Sequence, residues 1–102
     1  MSITGSRYKF SQKNVDKSPA KAGVFALYEG KKLIYIGQAG GDKITVRSCL
    51  QGLHAGKDAN GISKATHYKR EVTNTSAARE KELLAEYKEK HEELPRCNAA
   101  TK

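Results

Sequence analysis

The sequence predicts a small α/β (α+β) domain with three strands and two main helices in the order β-β-α-β-α. Three observations carry that expectation. Two short apolar segments, 23–28 and 32–37, flank the charged turn Glu29-Gly30-Lys31-Lys32 and read as a hairpin. Two later stretches show helical spacing of their apolar residues. A length of 102 residues suits one domain with one modest core.

Residues 1–21 form a polar, lysine-rich N-terminal segment in which Phe10 and Val15 are lone apolar anchors. One helical turn is expected over 11–17, ended by Pro19. The first strand, 23–28, reads Gly-Val-Phe-Ala-Leu-Tyr, and the second, 32–37, reads Lys-Leu-Ile-Tyr-Ile-Gly. Residues 38–43 contain Gly40-Gly41 and read as a loop. A helix follows over 44–55, with Val46, Cys49, Leu50 and Leu53 at i, i+3, i+4, i+7 on one buried face. Gly52 weakens it and Gly56 is placed to stop it. After a polar loop over 57–63, residues 65–73 alternate as a third strand, with Tyr68 and Val72 on one side. Asn74-Thr75-Ser76 is a helix-start cluster, because such side chains cap free backbone N–H groups. The last helix runs over 77–91, Leu94-Pro95 ends it, and residues 99–102 are a tail. The main domain is thus expected to span 22–98.

The chain carries a net charge of +8, with 37% hydrophobic and 29% charged residues. Residues 1–78 hold 13 Lys and Arg against 5 Asp and Glu, whereas residues 79–102 hold six of each. The basic excess therefore belongs to the body of the domain, and a polyanion such as nucleic acid is its natural partner. No apolar run approaches the roughly 20 residues that span a bilayer. The start of the chain lacks the apolar stretch of a signal peptide, so a cytoplasmic location and no membrane partner are expected. Cys49 and Cys97 stand singly, form no metal-binding pair, and read as free thiols.

The segments Gly23-Val24-Phe25 and Tyr35-Ile36-Gly37, with Phe25 and Tyr35 ten positions apart, are followed in order by Arg47, a glutamate on the last helix and Asn98. This ordered set resembles the GIY-YIG nuclease signature over about residues 22–98. The resemblance implies a three-stranded antiparallel sheet flanked by helices. It also implies metal-dependent hydrolysis of DNA phosphodiester bonds with Mg2+ (or Mn2+), as in DNA repair or recombination. A domain this small would draw specificity from a protein partner, an added domain or the shape of the DNA.

Within that resemblance Arg47 supplies an always-charged fork of donors for a phosphate that gains charge during displacement. The metal ligand is chosen by periodicity. Glu80 falls three after Ala77, four before Leu84 and seven before Tyr87, on the inward stripe. Glu82, Glu86 and Glu89 alternate with Lys81, Lys88 and Lys90 and read as a solvated face. An inward carboxylate is costly unless paired or metal-bound, which favours Glu80. Counting back from Pro95 favours Glu86 instead. One carboxylate, phosphate oxygens and water suffice for Mg2+.

The Tyr35 hydroxyl is suited to position water or phosphate, Gly37 to let the chain turn close to substrate, and Asn98 to orient the site loop. Phe25 departs from the signature, because a phenyl ring has no hydroxyl to handle a proton. Tyr28 faces the other side of a regular strand and cannot replace it. Activation of water then falls to Tyr35, His67 or the metal, with His54, on the same helix side as Arg47, as a further candidate base. Lys69 and Arg70 are candidate phosphate contacts. The alternative expectation is a catalytically weakened module that only binds nucleic acid, or a basic interaction domain.

Overall fold

In a computed structural model, which describes residues 7–41, 44–55 and 65–92, the chain is a mixed α+β domain built on one antiparallel sheet. The elements are β1 (Tyr8–Lys9), α1 (Gln12–Asp16), β2 (Gly23–Glu29), β3 (Lys32–Ala39), α2 (Val46–Ala55), β4 (His67–Val72) and α3 (Ser76–His91). The sheet has four strands in the order β1-β4-β2-β3, not the three expected. The extra strand is only two residues long, too short for an alternation pattern to reveal it.

The N-terminal segment is tied into the same core. Tyr8 and Lys9 pair with Tyr68 and His67, and Phe10 and Val15 are buried. The Tyr68 hydroxyl, at the bottom of that core, donates to the Asn14 carbonyl at 2.9 Å and shares a 3.1 Å hydrogen bond with Ser18 Oγ. Ser11 caps α1, its hydroxyl accepting from the Asn14 amide.

The hairpin forms as expected, with Phe25 opposite Gly37 and Leu27 opposite Tyr35. Beyond Leu27 the register shifts, so that Tyr28 opposes Leu33 and Ile34 is the extra residue of a bulge. The bulge lets Ile34 and Tyr35 both pack on the α1–α2 side of the sheet, while Leu33 packs with Ile36 on the other. On the first side Phe25, Leu27, Val46, Leu50 and Tyr68 form the main core. On the second, Val24, Ala26 and Ile36 receive Leu83 of α3. Each fully buried Val, Leu or Ile contributes about 1.5–3 kcal/mol, so both faces are needed to hold the layers together.

Several expected details differ. Helix α2 starts at Val46 because Thr45 and Ser48 cap each other: the Thr45 amide donates to Ser48 Oγ at 2.9 Å and the Ser48 amide to Thr45 Oγ1 at 3.1 Å. Thr75 occupies the N-cap of α3 without a side-chain capping bond, and its own amide donates to Thr73 Oγ1. Val72 and Ala77 are exposed rather than inward, so α3 buries its stripe through Ser76 and Leu83. Arg79 clamps α3 onto β4 through a paired bond to Glu71, 2.7 and 3.1 Å, and reaches Glu82 one turn on. Gly56, the loop at 57–63, Leu94, Pro95, Cys97, Asn98 and the tail lie outside the described residues. Among the described residues, no helix is long and apolar enough to cross a membrane.

Candidate active site

Strand β3 is an edge of the sheet. Beside it, between α2 and the first turns of α3, opens a cleft of about 390 Å3. Its lining combines Phe25, Tyr35, Gly37 and Gln38 from the hairpin with Ser48, Cys49, Gly52 and Leu53 from α2 and Glu80 from α3. Both tripeptides and the periodicity-selected glutamate thus reach one concave surface.

The hairpin register explains the local geometry. Phe25 lies opposite Gly37 and diagonal to Tyr35, and the two rings stand 6.3 Å apart at 36°. A Cβ on Gly37 would sit 2.6 and 2.8 Å from Phe25 ring atoms and 3.0 Å from Tyr35 Cε2. Gly37 therefore does not turn the chain at a strand end. It lies inside β3, and its missing side chain leaves room for the two rings. Gly23 has a similar steric reason, since a side chain there would run into the Glu71 carbonyl of the neighbouring strand.

Glu80 is half-buried, and loss of hydration pushes its carboxyl above the usual value. Next to it on the helix, Ser76 Oγ donates to Gln38 Oε1 at 3.0 Å and fixes the start of α3 against β3. The Ser48 hydroxyl is engaged in capping α2. Burial also pushes up the Cys49 thiol, partly offset by Ser48. Among the described residues no three His, Cys, Asp or Glu side chains gather. A divalent ion here would be held by Glu80 alone among carboxylates and completed by substrate oxygens and water, which suits Mg2+.

The remaining predicted residues lie elsewhere. Arg47 directly precedes Ser48 but is not part of the cleft lining; its Nε donates to the Ser18 carbonyl at 2.7 Å. His54 stacks edge-on against Phe10 at 5.0 Å. Both charges act on Asp16, whose carboxyl is held below the usual range first by a hydrogen bond from Gln51, then by one from Gln12. His67 sits at the far end of β4, its Nδ1 2.8 Å from Thr66 Oγ1.

Lys69 and Arg70 point to opposite faces of β4. Lys69 Nζ lies 5.9 Å from the Tyr28 ring centre, and the Arg70 guanidinium lies 4.5 Å over Tyr8. Arg70 Nε is buried and has no hydrogen-bond partner among the described residues. Glu86 is not on a solvated face. It lines a second cleft, with Tyr28, Leu33 and Tyr87.

Sequence reasoning did not select Gln38, Ser48 or Gly52. The spacing of Ser48, Cys49, Gly52 and Leu53 on one helix face was visible, but it reads equally well as core. Comparisons with protein-family models, with curated proteins and with solved structures found no match.

Proposed function

We propose that the chain is a GIY-YIG-like endonuclease domain that hydrolyses DNA phosphodiester bonds with a divalent metal ion. One observation carries this: residues from both tripeptides and Glu80 line the same cleft at the sheet edge. The basic body of the domain supplies the long-range attraction for DNA.

Glu80 would hold the ion, and the Tyr35 hydroxyl and the Gln38 side-chain carbonyl are the hard oxygens that the hairpin brings to the same cleft. A bound Mg2+ or Mn2+ supplies Lewis-acid charge to the phosphate. Tyr35 orients the phosphate or the attacking water. Arg47, at the N-terminal end of α2, lies outside the cleft lining with its Nε on the Ser18 carbonyl, so it adds positive charge near the site and not a contact to the phosphate within it. Phe25 and Leu53 make one side of the cleft apolar, which keeps the local dielectric low and strengthens these interactions.

A specific observation favours a second reading, a weakened module that binds nucleic acid without turnover. Phe25 offers no hydroxyl, and neither His54 nor His67 lines the cleft. The two readings separate in one experiment. Labelled branched, nicked and single-stranded DNA is incubated with the protein and Mg2+, beside Glu80→Ala and Phe25→Tyr. Cleavage by the wild type that is lost in Glu80→Ala supports the nuclease. Salt-sensitive binding with no cleavage, even in Phe25→Tyr, supports the binding module.

A further inference from the structure

The second cleft lies on the opposite face of the hairpin, against the C-terminal half of α3, and holds about 300 Å3. That is at the small end of the range for small-ligand clefts. Three rings line it, Tyr28, Tyr87 and His91, and three cations, Lys31, Lys32 and Lys90. Tyr87 and His91 already form a stacked pair, 4.2 Å between centres and 30° between planes. The Tyr87 hydroxyl reaches the Leu33 carbonyl at 3.5 Å, which holds the ring beside the strand. Lys69 adds a fourth cation near Tyr28. Glu86 is the carboxylate in the lining, so positive charge predominates.

We infer that this cleft takes one unstacked nucleotide of the DNA strand whose phosphodiester lies at Glu80, an inference that rests on the nuclease proposal. Aromatic faces accept a base of any identity, and flanking lysines match the backbone phosphates. An apolar small molecule would need no such charge. The helix supplies the connection between the clefts. Glu80 and Tyr87 are seven residues apart on one side of α3, about 10 Å along its axis. That distance is the span of only a few nucleotides, so one short strand can reach both clefts. A strand running along α3 therefore passes from the scissile position to the ring pair, and the cleft fixes its path without reading its sequence.

The test is fluorescence anisotropy of a labelled oligothymidylate of about twelve nucleotides, in EDTA and at low salt. EDTA removes turnover, so the outcome does not depend on cleavage. Tyr87→Leu and Tyr28→Leu, which keep apolar bulk, are each expected to weaken binding about fivefold or more, the scale of one lost stacking contact. Tyr87→Phe keeps the ring and is expected to bind as the wild type does. Lys31→Ala and Lys32→Ala should each lower the salt slope by about 0.7. Circular dichroism confirms that each variant is folded.

Folded Leu variants that bind like the wild type overturn the inference. So does failure of the oligonucleotide alongside binding of a poly-glutamate peptide, which makes this face a docking surface for an acidic protein. The two proposals fail separately: a protein that cleaves DNA but ignores Tyr87→Leu removes only this one. A protein that needs Tyr87 for binding but never cleaves removes only the nuclease.

Discussion

Replacing Gly37 by alanine tests how the hairpin shapes the candidate site. The added methyl would stand 2.6 Å from Phe25 Cζ and 2.8 Å from Cε2. Phe25 is 3% exposed, so its ring has little room except in the cleft it already lines. Forcing one extra methyl into such packing costs about 1–3 kcal/mol. Alanine recovers about 0.5–1 kcal/mol, because glycine loses more chain freedom on folding. The net expected loss is up to about 2.5 kcal/mol, or up to roughly 20 °C in Tm at about 4–8 °C per kcal/mol. In a Phe25→Leu background the ring atoms are gone and the same substitution should become neutral or stabilising. Urea unfolding of the four proteins gives the coupling energy directly. A coupling of about 1–2 kcal/mol is expected. A value below about 0.5 kcal/mol, within the scatter of independent sites, would refute the steric account of Gly37.

Three further outcomes follow from the same structure. Tyr68→Phe removes the hydroxyl that meets Asn14 and Ser18 and should cost about 1–3 kcal/mol by leaving buried polar groups unmatched; chemical denaturation measures it, and a neutral change would show that the N-terminal segment is not held this way. Arg79→Lys replaces the paired bond to Glu71 at side chains that are 12% and 17% exposed, and should cost about 1–2 kcal/mol, between surface and fully buried pairs, non-additively with Glu71→Gln in a double-mutant cycle. Glu80 gives a pH signature. Its folded pKa is raised by burial above the ordinary 4.5, so the fold favours the protonated form and stability falls as pH rises from 4.5 through the folded value. Glu80→Gln should therefore be at least as stable as the wild type at neutral pH, with the difference vanishing in acid. A variant that is less stable at neutral pH would contradict this.

Much of the fold was legible because it rests on local patterns. The hairpin is set by two β-rich segments and a Gly30 turn, and α2 and α3 by their apolar spacing. The features that were not legible depend on the third dimension. Strand β1 is two residues long and exists because Tyr8 and Tyr68 meet across the sheet. The bulge at Ile34 rephases the strand, which alternation alone cannot register. In the site, Glu80 could be selected because a helix converts sequence spacing into a face. Glu86 looked solvated by the same rule, yet the hairpin packs beside it and makes a cleft there. Arg47, Lys69, Arg70 and the histidines were chosen for their chemistry. Their positions are set by Ser18, Tyr28, Tyr8, Thr66 and Phe10, partners that no spacing reveals.

The most direct measurement is single-turnover cleavage of labelled DNA at saturating Mg2+ by the wild type, Glu80→Ala and Glu86→Ala. The two glutamates share a helix but line different clefts. The expected result is metal-dependent cleavage that Glu80→Ala reduces by at least about 100-fold, the scale of losing a group that acts directly on the reaction, while Glu86→Ala still cleaves. Cleavage that survives Glu80→Ala, or that is absent from the wild type across branched, nicked and single-stranded DNA, would contradict the account.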